Sequence, residues 1–169
     1  MNPSTSNAPS HHVLANVTLF QDIKHLPEAL NGFERIMKPV KFTKGHTLIQ
    51  QGDAGHEFFV LLRGQVSVEK LTTEGDRYKV AVLNGDHHAA FGEGGLIEGE
   101  ARSATVTCDS EVECLVLHRE EFNQFAVEQP HFALPVVKRI ALILMNRLNQ
   151  TSNDLMLLHK ALMSEIRSS

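Results

Sequence analysis

The chain has 169 residues, which is enough for one domain with a buried core and an additional segment. Its formal net charge of −4 argues against a protein that binds the phosphate backbone of DNA, and it contains no apolar run long enough to span a membrane. Two cysteines, Cys108 and Cys114, are too few for a disulfide framework or a cysteine-ligated iron–sulfur cluster, so we expect free, partly buried thiols.

The first residues carry no structural pattern. Residues 1–12, "MNPSTSNAPSHH", lack the basic and apolar blocks of a signal peptide and have the composition of a disordered tail, so we expect a cytoplasmic protein. Residues 16–37 then place apolar side chains at helical spacing, with a break near Pro27. This pattern predicts one or two short helices.

From Pro39 onward the apolar pattern changes to a period of two. Short apolar runs are separated by Gly, Asp and Asn, as in "EFFVLLRGQVSVEKL" (57–71), "DRYKVAVL" (76–83) and "VECLVLH" (112–118). Such punctuation is typical of many short strands and predicts an all-β sandwich or barrel. The stretch "TTEGDR" (72–77) is predicted to be the tip of a hairpin.

Near the C-terminus the helical period returns, and Pro135 is expected in the first turn of a long helix. The helix has two apolar stripes. One is a heptad seam along its length, and the other, at Val136, Ile140 and Ile143, exists only in its first half. About thirty helical residues would measure roughly 45–50 Å, more than a domain of this size can cover. We therefore expect the first half to pack on the domain and a heptad seam to form a parallel homodimer. The seam consists of Val137, Ala141, Leu144, Leu148, Thr151, Leu155, Leu158 and Leu162.

Residues 91–106, "FGEGGLIEGEARSATV", combine four glycines with Glu93 and Arg102, nine positions apart. Bare backbone lets N–H groups approach an anion, and an arginine supplies charge and a fork of donors. A short helical turn over the glycines would present its first N–H groups to a phosphate. A carboxylate cannot bind that phosphate, but it can accept a hydrogen bond from a ribose hydroxyl. On these residues alone, a nucleotide pocket and a loose surface loop both remain open.

A resemblance to a known family bears on that choice. Phe-Gly-Glu at 91–93, Leu96 and "ARSATV" at 101–106 resemble the phosphate-binding cassette of cyclic nucleotide-binding domains. Upstream, "KGHTLIQQGDAG" and "FFVLLRGQV" are similar to the first strands of that family. Downstream, "LILMNRLNQTSNDL" is similar to the dimer helix of the bacterial cyclic AMP receptor proteins, so the resemblance spans roughly residues 18–160.

The resemblance implies a mainly β fold with flanking helices, in which a jelly-roll β-barrel is followed by a long C-terminal dimerisation helix. We accordingly divide the chain into a tail (1–12), a cyclic nucleotide-binding barrel with N-terminal helices (13–132) and the dimerisation helix (133–169).

The resemblance also implies which cassette residues contact the ligand. Glu93 would bind the ribose 2′-hydroxyl, Arg102 would pair with the cyclic phosphate, and Ser103 would add its hydroxyl and its N–H. The glycines would contribute bare backbone beside these groups. The implied cassette contacts are Gly92, Glu93, Gly94, Gly95, Arg102 and Ser103.

Three helix residues match positions near the nucleotide in the receptor proteins. Thr151 would face the base, Ser152 would reach the base from the partner chain, and Arg147 would lie near the nucleotide. The alternative for each of them is a solvated polar position or a compromise within the seam.

Two features depart from the family pattern. The stretch "HHAA" (87–90) is three residues longer than usual beside the pocket entrance, and Gly94 replaces a residue that is normally apolar. Both departures leave the affinity and the identity of the ligand open. His87 and His88 are adjacent and would point to opposite sides of an extended segment, so we expect loop histidines and no metal site.

The expected function is that of a regulatory sensor, not an enzyme. It would bind cyclic AMP, or cyclic GMP, and signal through its C-terminal helix to an unknown downstream protein. No helix-turn-helix, kinase or channel segment follows Ser152, so we expect neither nucleic acid nor a membrane as a partner. One alternative is a dimeric scaffold of the same fold that binds no nucleotide. Another is a metal-dependent cupin-type enzyme, for which the chain offers His88, Glu93 and His118 but no His-x-His motif.

Overall fold

The computed structural model describes residues 11–97 and 101–168. Helices and strands are labelled in chain order. The helices are α1 (His11–Ala15), α2 (Pro27–Ile36), α3 (Arg119–Glu128) and α4 (Pro130–Ser168). The strands are β1 (Lys38–Phe42), β2 (Thr47–Ile49), β3 (Glu57–Arg63), β4 (Gln65–Leu71), β5 (Arg77–Asn84), β6 (Ala90–Phe91), β7 (Thr105–Cys108) and β8 (Val112–His118). Single turns of 3-10 helix lie at Thr18–Phe20, Gly85–His87 and Glu93–Leu96.

The strands form two antiparallel sheets of four strands each. One sheet has the order β1-β8-β3-β6 and the other the order β2-β7-β4-β5. This arrangement confirms the predicted jelly-roll fold, with β4 and β5 joined at the predicted hairpin tip. In the described part of the chain the sheets stack as a sandwich, without hydrogen-bonded closure into one barrel.

Strand β3 explains why its sequence is a continuous apolar run. Phe59 and Leu61 pack in the core between the two sheets, whereas Phe58 and Val60 point to the other side and pack under the helices. A strand that is covered on both faces loses the apolar–polar alternation of a half-exposed strand. Strand β3 is therefore buried on both faces and connects the two cores.

The helical layer has its centre at Phe33 of α2, which is fully buried. Its ring lies 4.9 Å from that of Phe20 and 4.6 Å from that of Phe125, measured between centroids. Gly32 makes room for this contact, because a Cβ there would come within 2.7 Å of the Phe125 ring. Aromatic packing of this kind fixes α2 and α3 against the sheet that contains β3.

Helix α4 begins earlier than the sequence predicted. It starts at Pro130 and contains Pro135 in its interior, so the prediction that Pro135 lies in the first turn is wrong. Both prolines have a φ suited to a helix, and Pro130 can occupy the first position because the N–H it lacks would have no partner there. The predicted inner stripe is confirmed, since Val136 and Ile140 are buried in the helical core.

The outer part of α4 is exposed in the single chain. Every residue from Met145 to Arg167 is exposed, and among them are four leucines of the predicted heptad seam. Their exposed fractions run from 57% to 69%, for Leu148, Leu155, Leu158 and Leu162. Apolar side chains in a protein core are far less exposed than these, although large apolar side chains do occur singly on surfaces.

Several sequence predictions concern the chain ends and the membrane. Residues 1–10 of the predicted tail lie outside the described residues, and the described chain begins with α1 at His11. Among residues 11–97 and 101–168, none of the helices combines the length and the hydrophobicity that a membrane span requires. Helix α4 continues as far as Ser168.

Cys108 and Cys114 are free thiols, as predicted, but they are fully buried instead of partly buried. Burial raises the pKa of Cys108, and it raises the pKa of Cys114 to about 12. Since the thiolate is the reactive form, we expect Cys114 in the native protein to react with Ellman's reagent at least about a hundredfold more slowly than a free thiol of pKa about 8.5. The change in absorbance gives the labelling rate in native buffer and in guanidinium. Rapid labelling of Cys114 in the native protein would contradict the prediction.

Candidate functional site

The glycine-rich stretch forms a tight turn at the end of β6. Gly92 has a φ of +81°, a left-handed conformation that side chains other than glycine rarely adopt. The chain then forms the 3-10 turn Glu93–Leu96, closed by a hydrogen bond of 2.8 Å from Gly95 N–H to Gly92 O. As at any helix start, the first N–H groups of this turn have no partner within it. We name the segment Gly92–Ile97 the glycine turn.

Arg102 is held between the glycine turn and the start of β3 by three hydrogen bonds. Its Nη1 donates to Gly92 O at 3.1 Å, and its Nη2 donates to Glu57 O at 2.7 Å and to Glu57 Oε2 at 3.2 Å. The Arg102 side chain is only 8% exposed. A guanidinium has five N–H groups, so these bonds leave two available for an additional acceptor.

The charge of Arg102 is set by burial and by two carboxylates. Burial lowers the pKa of Arg102, and the nearby Glu57 and Glu93 carboxylates oppose that shift. A guanidinium stays protonated in proteins despite such shifts. The site therefore contains a permanent cation in a partly desolvated position, where electrostatic attraction to an anion is stronger than in water.

Glycines surround the guanidinium closely. A Cβ on Gly55 would lie 1.8 Å from Arg102 Nε, and a Cβ on Gly95 would lie 2.7 Å from Arg102 Nη1. Gly92 is nearly as tight, at 3.0 Å from Nη1. Any side chain at these positions would displace the arginine, so the three glycines form a bare cradle around it.

Glu93 is buried beside this cradle and contacts helix α4. Its exposed fraction is 3%, and its Oε1 lies 2.5 Å from Nη1 of Arg147. That contact is an ion pair without hydrogen-bond alignment, because Oε1 accepts no well-directed hydrogen bond from the described residues. Arg147 itself is 60% exposed, so a mostly solvated cation connects α4 to the glycine turn.

The chain matches a known protein family over most of its β-rich part. The family model for the cyclic nucleotide-binding domain matches residues 39–129, more than half of the chain. The chain belongs to the cyclic nucleotide-binding domain family. This is a regulatory family, not a catalytic one.

Relatives of this cyclic nucleotide-binding domain occur in different contexts. The chain is 22% identical over 143 residues to the CRP-like cAMP-activated global transcriptional regulator of Mycobacterium tuberculosis, a match that covers 85% of the chain and 60% of the regulator. It is 33% identical over 101 residues to the cAMP-dependent protein kinase regulatory subunit of Dictyostelium discoideum, covering 56% of the chain and 31% of the subunit. It is 35% identical over 104 residues to human cGMP-dependent protein kinase 2, covering 60% of the chain and 14% of the kinase. The chain thus spans 60% or less of the length of these relatives.

A solved structure agrees with the assignment. The catabolite activator protein of Thermus thermophilus superposes with a TM-score of 0.72 at 25% sequence identity, covering 83% of the chain and 62% of that protein.

The structure gathers some of the predicted site residues and leaves others apart. Gly92, Glu93, Gly95 and Arg102 form one cluster in the cyclic nucleotide-binding domain, and Arg147 reaches it from α4. The other predicted site residues lie at the surface or beside open space. Ser103, Thr151 and Ser152 are exposed, and Gly94 borders open space, since a Cβ added there would meet no atom within 4 Å.

The longer stretch at 87–90 forms an ordered connection. His87 ends a 3-10 turn, and His88 adopts a left-handed φ of 47°. Ala89 O accepts a hydrogen bond of 2.8 Å from Leu61 N–H, and Ala90 pairs with β3 in β6. Among the described residues there is no group of three or more side chains suited to hold a metal ion.

Two functional candidates were not predicted from the sequence. Glu57 supplies both a carbonyl and a carboxylate oxygen to Arg102, from 45 positions away in the chain. Gly55 leaves the space that the Arg102 side chain occupies. No spacing signal connects either residue with Arg102, because their proximity depends on how β3 lies beside the glycine turn.

Proposed function

We propose that the chain binds a 3′,5′-cyclic purine nucleotide, with cyclic AMP as the first candidate, and acts as a regulatory module on another protein. The supporting observation is the cradle around Arg102, in which a buried guanidinium and bare backbone lie together. A cyclic phosphodiester carries one negative charge and two unesterified oxygens. It matches the two N–H groups of Arg102 that remain available and the free N–H groups that begin the glycine turn.

Glu93 would bind the ribose. Its buried Oε1 lacks a well-aligned donor, and a buried acceptor of this kind is costly unless a hydrogen bond satisfies it. A ribose 2′-hydroxyl can donate that bond, while the carboxylate would repel a phosphate. The Glu93 carboxylate accepts hydrogen bonds and the Arg102 guanidinium donates them. A sugar phosphate can use both groups, whereas a free phosphate can use only Arg102.

Ligand binding would be transmitted through Arg147. In this structure Arg147 forms the ion pair between α4 and Glu93. A ribose hydroxyl at Glu93 would compete with that ion pair and change the preferred position of α4. A ligand can shift such an equilibrium only through different affinities for the two positions, and a contact with both elements provides that difference.

Dimerisation would complete the site. The exposed leucines of the seam repeat at heptad positions along α4, which is the pattern of a parallel coiled coil. In such a pair Thr151 of one chain and Ser152 of the partner would lie near the base, since both follow Arg147 by about one turn of helix. The names of the relatives include both cAMP and cGMP, so the base preference rests on these helix residues.

A thermal unfolding scan tests the proposal. A ligand that binds only the folded state raises the melting temperature with its concentration, by about 2.7 kcal/mol of stability at a hundredfold excess over Kd. We expect cyclic AMP to stabilise the protein, and 5′-AMP, which lacks the cyclic phosphodiester, to have little effect at equal concentration. Cyclic GMP and cyclic di-GMP complete the series. If no cyclic nucleotide changes the melting temperature, the proposal is wrong and a scaffold role is favoured.

Two glycine variants test the cradle itself. Gly55→Ala should destabilise the fold by about 1–3 kcal/mol, the usual range for overpacking, because its Cβ would collide with Arg102 Nε. Gly94→Ala is the matched control, since its Cβ would enter open space. Urea unfolding of both variants measures the difference, and equal stability of the two would contradict the cradle.

A further inference from the structure

Glu57 lies between the side chains of an arginine and a histidine. Its Oε2 accepts from Arg102 Nη2 at 3.2 Å, and its Oε1 lies 3.8 Å from Nδ1 of His118. The two residues face each other because the register of the β3–β8 pair places Glu57 directly opposite His118. One carboxylate thus connects an imidazole at the end of β8 with the guanidinium of the proposed phosphate site.

From this geometry we infer that His118 and Glu57 act as positioning residues for Arg102 and make the affinity for an anionic ligand depend on pH. The inference rests on the proposed function, because it concerns the same phosphate site. A neutral His118 leaves the full negative charge of Glu57 beside the incoming phosphate. A protonated His118 offsets that charge, so affinity increases as the pH falls.

Other charged groups near the pair do not remove this effect. His118 also faces Glu121 of α3, which is already paired with Lys38 of β1 at 3.1 Å. The pKa of Glu121 is lowered mainly by the hydrogen bond from Lys38, and the charge of His118 contributes less. Glu121 therefore has a cationic partner of its own, whereas Glu57 is the carboxylate that contacts Arg102.

On the side of Arg102, Glu93 lies near the guanidinium and is itself paired with Arg147. Carboxylates and guanidinium groups keep their charge between about pH 5 and 8, and a phosphodiester does so too. Histidine is the side chain that ordinarily changes charge in this range. His56 directly precedes Glu57 in the chain, and its backbone N–H donates to Glu57 Oε2 at 3.0 Å.

The size of the effect follows from exposure. The His118 and Glu57 side chains are 41% and 35% exposed, so water screens their interaction. Ion pairs of this exposure change equilibria by about two- to fivefold. We therefore expect cyclic AMP to bind about two- to fivefold more tightly at pH 5.5 than at pH 8.

The experiment is a calorimetric titration of the full chain with cyclic AMP at the two pH values. His118→Gln should bind equally at both, at the affinity of the native protein at pH 8. Glu57→Gln should also lose the pH dependence while still binding, because the carbonyl oxygens of Glu57 and Gly92 continue to hold Arg102. His56→Gln is the matched control and should keep the native profile.

The outcomes separate this inference from the proposed function. If the native protein binds no cyclic nucleotide at either pH, the proposed function fails and this inference fails with it. If it binds equally well at both pH values, or if His118→Gln keeps the dependence, the inference alone is overturned. Loss of the dependence in His56→Gln would also overturn it, because the titrating group would then be His56. Loss of all binding in Glu57→Gln would overturn it too, because the carboxylate would then serve only to hold Arg102 in place.

Discussion

Replacing Arg102 with alanine is expected to weaken cyclic AMP binding about ten- to a hundredfold, the effect of losing a hydrogen-bonded charged group worth about 1.5–3 kcal/mol. The variant removes the cation that the proposed phosphate site depends on and leaves the Glu57 carboxylate facing the anion. Arg102→Lys restores the charge but not the planar fork of donors, so it should recover only part of the affinity. Calorimetric titration with cyclic AMP measures the affinity of the native protein and of both variants.

The fold of these variants must be checked separately. Glu57 is 35% exposed, so its carboxylate can be hydrated once Arg102 is absent, and we expect Arg102→Ala to remain folded. Arg77→Ala is a suitable control, because Arg77 is exposed at the start of β5 and has no role in the proposed site. Unchanged affinity in Arg102→Ala, with a native melting profile, would rule out the phosphate site.

Replacing Leu155 with glutamate is expected to convert the proposed dimer to a monomer at micromolar concentration. The side chain is 68% exposed in the single chain and lies in the heptad seam, where a parallel partner would bury it against the same residue. Two carboxylates forced together in an apolar seam would repel and lose their hydration. We expect dimer affinity to fall at least about a hundredfold, the equivalent of about 2.7 kcal/mol.

Leu157→Glu provides the matched control for the seam. Leu157 is 63% exposed, about as much as Leu155, but it lies about 200° around the helix, outside the seam. Light scattering after size exclusion should show a monomer for Leu155→Glu and a dimer for Leu157→Glu. A monomeric native protein, or the same mass for both variants, would refute the proposed interface.

The sequence predicted the regular parts of the fold well. The short apolar runs between turn residues correctly indicated strands β3, β4, β5 and β8 in order. Strand β6 was missed because Ala90 and Phe91 are too few to show any period. The start of α4 was placed too late, because two prolines five positions apart offer the same local signal.

The candidate site was predictable where its residues are close in sequence. Glu93 and Arg102 lie in one recognisable stretch, so the cassette could be proposed before the structure was known. The role of Glu57 could not, because it depends on the register of β3 against β8 and on the path of the glycine turn. The apolar pattern indicates which face of a strand is buried, but it does not show which residue of a distant strand lies opposite.

The length of α4 has a mechanical consequence. The last buried residue of the helix is Ile140, and the helix continues without a break to Ser168. At 1.5 Å per residue, the part from Ile140 to Arg167 acts as a lever of about 40 Å. Each degree of tilt at the fixed end therefore moves Arg167 by about 0.7 Å. A rearrangement of a few degrees near Arg147 would displace the far end by a distance that a bound protein can detect.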